Sequence, residues 1–323
     1  MNQGWDEFFG FNCQRQAHTY YPTHLWHNDK KVPQNGKDYA HDVIMQQTMK
    51  FLKNNKDKPF FCYMSITVPH AAMQVPEEEA APFRKKFPQY EGVIGKYAGT
   101  EVDNPAAMFA GMMTRMDRDV GRVVDELKKM GIDKNTLIMV TSDNGPHREG
   151  GHVPDFFNSN GKLKGYKRDL YEGGIRAPLV AYWPGVIKEG KTTRHISAHW
   201  DVLPTLCELS GTKIPAKTDG ISFVPTLLGQ NKKQQKHEYL YWEFHERGKK
   251  QAIRMGKWKA VRLNLAKNPN AAMELYDLSK DIGEENNIVA NHPDIVSKIK
   301  PLFSSARTES DIFTLFPKKN AKK

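Results

Sequence analysis

Two apolar runs of strand length, each preceded by a helical pattern and closed by polar loop residues, limit what this chain can fold into. The first, Phe60-Phe61-Cys62-Tyr63-Met64-Ser65-Ile66, ends at Val68-Pro69-His70, and the second, Thr136-Leu137-Ile138-Met139-Val140-Thr141-Ser142, ends at Asp143-Asn144-Gly145-Pro146. Runs this short and this apolar predict strands buried on both faces. Ahead of the first, Tyr39, Val43, Ile44, Phe51 and Leu52 recur at helical spacing over 38–54, after the turn dipeptide Asn35-Gly36. Ahead of the second, Asn104-Pro105 supplies an N-cap and an N1 proline, and Gly131 supplies the stop. Between them Met108, Phe109, Met112, Met113, Met116, Val120, Val123, Val124 and Leu127 form one stripe, whose methionines predict core packing. Helix then strand, repeated, is the pattern of an α/β fold.

A third apolar run, Pro178-Leu179-Val180-Ala181-Tyr182-Trp183, stops at Pro184-Gly185, and a helix containing Val202 to Leu209 closes at Gly211. Beyond Gly229 the texture changes. The polar stretch Gln230-Asn231-Lys232-Lys233-Gln234-Gln235-Lys236 reads as a linker, followed by strands in hairpin succession at Tyr239 to Phe244, Gln251 to Met255, Trp258 to Leu263 and Glu274 to Leu278. An amphipathic helix near Ile295 to Phe303 and a basic tail from Lys318 close the chain. The expected division is therefore an α/β domain over 1–232 and a small antiparallel subdomain over 233–323.

The 323 residues carry 48 Lys+Arg against 37 Asp+Glu, a net charge of +11 that draws anions toward the surface. No stretch approaches the ~18 consecutive apolar residues of a membrane span. The cysteines Cys13, Cys62 and Cys207 make neither a disulfide framework nor a C-x-x-C metal site. No basic helix or aromatic RNA-binding signature accompanies the charge, so neither nucleic acid nor membrane is expected as a partner.

Ligands of open α/β sheets bind beyond the carboxyl ends of the strands, which singles out three places. Asp143 and Asn144 would project a carboxylate and an amide oxygen of the kind Ca²⁺ or Mg²⁺ takes, although the same residues also suit an Asx-turn. His70 occupies the same relative place after the first run, where an imidazole can donate a proton or bind an anion. Lys167, in a loop flanked by Gly165 and by Gly173-Gly174, can bring an ammonium onto an oxyanion. Close by in sequence, His147, Arg148 and His152 are substrate-contact candidates, as are His24 and Trp26, with Trp242 and His245 further along.

The joint order of these residues closely resembles the formylglycine-dependent sulfatases, above all bacterial enzymes of the arylsulfatase and N-acetylgalactosamine-6-sulfatase type. The resemblance is carried by Val140-Thr141-Ser142-Asp143-Asn144-Gly145-Pro146, by Lys167 ahead of Tyr171-Glu172-Gly173-Gly174-Ile175-Arg176-Ala177-Pro178, and by Tyr182-Trp183-Pro184-Gly185. It extends to Val68-Pro69-His70, Gly4-Trp5-Asp6-Glu7-Phe8-Phe9-Gly10, Asp201-Val202-Leu203-Pro204-Thr205-Leu206, Met255-Gly256-Lys257-Trp258-Lys259 and Glu274-Leu275-Tyr276-Asp277-Leu278.

The resemblance implies an alkaline-phosphatase-like mixed, mostly parallel sheet flanked by helices, incomplete here, with a small C-terminal antiparallel subdomain. It implies Ca²⁺ (or Mg²⁺) on Asp143 and Asn144, His70 on the sulfate and the leaving oxygen, and Lys167 on a sulfate oxygen. The implied substrate is a sulfated glycan or aryl sulfate, and the implied location is periplasmic or extracellular. Oligomeric state stays open.

The family's nucleophile is a Cys or Ser in C/S-x-P/A-S/A-R, oxidised to formylglycine, and no Cys or Ser of this sequence has that context. An Asp-Asp pair for the metal is absent as well. The expectation is a truncated chain without turnover of its own and with exposed apolar sheet edges. The competing readings are a phosphoester hydrolase of the same superfamily and a noncatalytic anion-binding remnant.

Overall fold

The computed structural model describes residues 4–316; the basic tail from Lys318 lies outside them. The chain forms two compact units. The first comprises 1–136 and 147–157, the second 137–146 and 158–323.

In the first unit, strands β1 (Phe9–Gly10), β2 (His24–His27) and β3 (Lys30–Pro33) form an antiparallel sheet in that order. Helix α1 (Ala40–Asn55) follows the predicted turn, in which Asn35 Oδ1 accepts from the N–H groups of Lys37 and Asp38 at 2.7 and 2.9 Å. Helix α2 (Glu77–Lys86) precedes a hairpin of β4 (Ile94–Tyr97) and β5 (Thr100–Asp103), which leads into α3 (Pro105–Lys129). As expected, Asn104 caps α3, its Oδ1 accepting from Ala107 N–H at 3.0 Å. Tyr20, Tyr39, Val68, Met73, Val75, Ala80 and Met112 form the core, with Met108, Phe109 and Met116 packed against it. Burying each valine or methionine of this set contributes roughly 1.5–3 kcal/mol. Met113 departs from the predicted stripe and is exposed. Arg115 of α3 ties the three helices together through Asp42 of α1 and Glu79 of α2.

The second unit begins with β6 (Ile138–Thr141), paired antiparallel with β7 (Leu179–Tyr182), and the short helix α4 (Glu172–Ile175) lies between them in sequence. Helix α5 (Val202–Ser210) ends on Gly211 as the stop signal required, and α6 (Val224–Leu227) follows. Strands β8 (Leu240–Phe244), β9 (Lys250–Met255), β10 (Trp258–Arg262) and β11 (Met273–Asp277) form the expected hairpin succession, an antiparallel sheet in the order β11-β10-β9-β8. The terminal helix is two helices, α7 (Pro293–Ile299) and α8 (Leu302–Ser305), because Pro301 has no N–H to continue the ladder. Ile295, Ile299 and Phe303 cover Ile253, Ala260 and Leu275 of the sheet.

The α/β class holds, with a difference in detail: every ladder among the described residues is antiparallel, so the expected mostly parallel sheet is not seen there. The Phe60 to Ile66 run has no regular secondary structure and belongs to no ladder, and Phe61 and Tyr63 are 56% and 68% exposed. The second run, in β6, is at most half-buried, and Val180 opposite it in β7 is 61% exposed. Strands that read as buried on both faces thus lack the cover their composition is suited to. The segment read as a linker is docked: Gln234 accepts from Thr226 N–H and donates to Ser222 O, and His237 bonds buried Asp201 at 2.8 Å. The division expected at 232/233 falls inside the second unit. Among the described residues no helix is long and apolar enough to cross a membrane.

The physical reason is a buried charge cluster joining α4 to the C-terminal sheet. Glu172 bonds Arg254, and it also accepts from Lys259 Nζ at 3.0 Å. Burial alone would raise the Glu172 carboxyl, but Lys259 and Arg254 together hold it below its ordinary range. Glu284 accepts from the Glu172 N–H at 2.7 Å, and burial pushes its carboxyl up to about 7 against the pull of Lys259 and that hydrogen bond. The folded state therefore retains this proton up to about pH 7, while an unfolded chain releases it near the ordinary glutamate value. The stabilisation is complete at low pH and is lost as pH rises through about 7. Glu284→Gln should flatten this: from about pH 5 to about pH 8 its melting temperature should gain on that of the native chain. Parallel melting curves across that range would contradict the assignment.

Candidate active site

In the first unit, four histidines stand in a column. His18 stacks on His70 at 5.0 Å between ring centroids, His70 on His147 at 5.8 Å, and His147 approaches His152 at 5.0 Å. Tyr97 sets its ring edge against both His18 and His70. The His70 loop is fixed from below by buried Tyr20, whose hydroxyl donates to the carbonyls of Thr67 and His70 at 3.1 and 2.8 Å. His70 Nδ1 lies 2.5 Å from Ala71 O, so this nitrogen carries the proton. Its Nε2 faces Glu149 Oε2 at 3.7 Å, beyond a direct hydrogen bond but within ion-pair reach.

His147 is held in one tautomer: its Nε2–H donates to Pro69 O and its Nδ1 accepts from Glu149 N–H, both at 3.1 Å. His152 is 4% exposed, stacked on Phe109 at 3.8 Å with Phe157 also against it, and neither ring nitrogen has a partner. Burial, and secondarily His147, lower it to about 3, so His152 is neutral and acts as packing. Its burial leaves no surface for a substrate contact, contrary to the expectation for it. Arg148 is exposed and pairs with Asp155 at 2.6 Å. His24 and Trp26 share one face of β2 with rings 6.1 Å apart, and the Trp26 indole N–H is buried without a partner.

In the second unit, Asp143 is exposed and Asn144 half-buried, and Asn144 Nδ2 donates to Asp143 Oδ1 at 2.8 Å. Gly145 N–H donates to Gly174 O at 2.9 Å, and a Cβ on Gly145 would fall 1.8 Å from Gly173 O. Only glycine permits this approach. Lys167 joins the same assembly: its backbone N–H donates to Pro146 O at 2.8 Å, and Gly173 N–H donates to Lys164 O at 2.7 Å. The structure thus brings Asp143, Asn144 and Lys167 onto one hydrogen-bonded turn built around Gly173 and Gly174. Trp242 packs in the sheet against Trp200 at 5.7 Å, with His245 beyond it on the loop after β8.

Asp143 and Asn144 are hard oxygen donors of the type Ca²⁺ takes, but two adjacent ligands fall far short of its 6–8. Among the described residues no cluster of three or more His, Cys, Asp or Glu side chains is arranged to hold a metal. The pair fits part of a coordination sphere and not a complete one. Residues of consequence to which the sequence had assigned no role are Glu149, His18, Tyr97 and Glu172. Glu149 gave one signal only, a carboxylate between two histidines.

The fold is that of the alkaline-phosphatase-like α/β hydrolases. The crystal structure of Ps i-CgsB, solved in complex with k-i-k-neocarrahexaose, superposes with a TM-score of 0.73 at 27% identity, over 94% of this chain and 67% of that one. The family model Sulfatase matches residues 1–212, and the model N-sulphoglucosamine sulphohydrolase, C-terminal, matches 164–308. The chain belongs to the sulfatase family. Among curated relatives, the uncharacterized sulfatase YdeN of Escherichia coli (strain K12) is 32% identical over 75% of this chain and 40% of that protein. The N-acetylgalactosamine-6-O-sulfatase of Bacteroides thetaiotaomicron is 27% identical over 83% and 51%. The chain therefore spans about half or less of the length of these curated relatives.

The turn makes a prediction that needs no ligand. Gly145→Ala should destabilise the protein by ~1–3 kcal/mol, because the added methyl forces the turn away from Gly173. Gly121→Ala, at an exposed site of α3 with nothing within 4 Å, should instead stabilise it by roughly 0.5–1 kcal/mol. Equal effects in denaturant unfolding would refute the close approach.

Proposed function

We propose that this chain carries the substrate-binding and metal-binding part of a sulfuric ester hydrolase acting on a sulfated glycan or aryl sulfate. The observation that carries the reading is the turn at Gly173-Gly174, which holds two hard-oxygen donors, Asp143 and Asn144, beside a loop bearing Lys167. A sulfate ester that loses its alcohol oxygen as an alkoxide needs cationic charge near the sulfate oxygens and a proton for the departing oxygen. Lys167 supplies an ammonium to a sulfate oxygen. His70, with both Nδ1 and Nε2 facing acceptors, supplies the proton. Asp143 and Asn144 hold part of a Ca²⁺ shell, or of a Mg²⁺ shell, whose charge would draw the sulfate. Arg148, His24 and Trp26 are sugar contacts in this reading, and His147 acts through His70.

The family's formylglycine supplies the nucleophile in complete sulfatases, and no segment of this sequence has the context for it. We therefore propose that the 323-residue chain binds sulfate esters without turning them over. The sulfated-sugar reading draws on relatives, among them an N-acetylgalactosamine-6-O-sulfatase and a structure solved with k-i-k-neocarrahexaose. A periplasmic or extracellular location belongs to the same reading.

Binding of p-nitrophenyl sulfate by the purified chain, measured by calorimetry with and without Ca²⁺, tests this. Binding should strengthen with Ca²⁺ and fall roughly tenfold or more in Lys167→Ala and Asp143→Ala, the scale of losing one charge-assisted contact. Binding indifferent to both substitutions would remove the site. Equal or tighter binding of p-nitrophenyl phosphate would move the reading to a phosphoester.

A further inference from the structure

The histidine column raises a problem that the sulfatase reading alone does not answer: which of its members carries charge. Stacked imidazoles about 5 Å apart cannot all be cations, since like charges at that distance disfavour one another. His152 is neutral by burial. For His147 and His70 the hydrogen bonds decide. His147 accepts from Glu149 N–H at Nδ1, and protonating that nitrogen would break the bond and set two donors face to face. His70 has the opposite surroundings, a carbonyl at Nδ1 and a carboxylate oxygen 3.7 Å from Nε2. Both are acceptors, and both favour an N–H.

We propose that Glu149 is a positioning residue that sets two histidines at once: its backbone N–H keeps His147 neutral, and its side chain keeps His70 as the imidazolium. The group that would protonate a leaving oxygen is then a cation stacked on the neutral ring of His147. Groups that face the His70 ring include His18, Tyr97, His147 and Glu149, with the Tyr20 hydroxyl on its carbonyl. Of these only Glu149 is an anion near neutral pH, and buried Tyr20 stays a phenol because burial raises it. The Glu149 side chain is shielded from water more than that of His70, 13% against 27% exposed, which preserves the attraction. This inference rests on the assignment of His70 to the leaving oxygen, and it concerns how the ring is held ready.

The test reads protonation directly and needs no turnover. In the full chain labelled at histidine with ¹⁵N, the His70 signals are assigned by their loss in His70→Asn, and the titration is followed by NMR. Glu149→Gln keeps the backbone N–H and the side-chain shape but removes the charge. It should lower the His70 midpoint by about one pH unit while the His147 tautomer signals stay in place. Glu149→Asp, with the charge kept but withdrawn by one methylene, should fall between. An unchanged His70 midpoint in Glu149→Gln would overturn the proposal, as would protonation of His147 before His70 in the native chain. Inorganic sulfate added to the native chain separates the two ideas. A His70 signal that ignores sulfate but still responds to Glu149→Gln removes the sulfate role and upholds the pairing.

Discussion

The second unit depends on one buried carboxylate. Glu172 is 2% exposed and bonds Arg254 and Lys259, while Arg176 sits 3.7 Å away. A carboxylate taken out of water costs several kcal/mol, offset only where partners and hydrogen bonds are well placed. Lys259 is itself fully buried, so either charge left alone would be untenable. The pairing fixes α4 on the C-terminal sheet, and α4 carries Gly173 and Gly174. Those glycines admit Gly145 on one side and the Lys164 to Asp169 loop on the other. Asp143, Asn144 and Lys167 owe their proximity to that chain of contacts.

The first unit reaches its chemistry by other means. The His70 ring stacks between His18 and His147, with a carbonyl at Nδ1 and a carboxylate at ion-pair distance from Nε2. Around it the core is aromatic and methionine-rich, with Tyr20 and Tyr39 stacked at 5.7 Å and Met112 and Met73 fully buried. Such a setting fixes ring positions while the hydrogen bonds choose tautomers.

Much of this was legible in the sequence because it was local. The Asn104 cap, the Asn35 turn, the Gly211 stop and the four C-terminal strands all follow from chemistry within a few residues. His70, Asp143 and Asn144 were singled out by their place after apolar runs, and Lys167 by the glycines around it. What escaped was non-local. The cluster that joins α4 to the C-terminal sheet links residues 82, 87 and 112 positions apart, and no pattern within a window reports that. The apolar runs misled for a related reason: Phe61, Tyr63 and Val180 declare what they are suited to bury, not that anything lies against them. Glu149 was missed because a single acid in a loop has no periodicity.

The most direct test of the dependence on Glu172 is amide hydrogen exchange, compared between the native chain and Glu172→Gln. Gly145, Lys167 and Gly173 each donate a backbone hydrogen bond within the turn. If the buried carboxylate holds the turn, protection at these amides should fall together, while protection in α3 of the first unit stays as it was. Retained protection at Gly145 and Lys167, with the C-terminal sheet loosened alone, would show that the turn stands without Glu172 and would contradict the account.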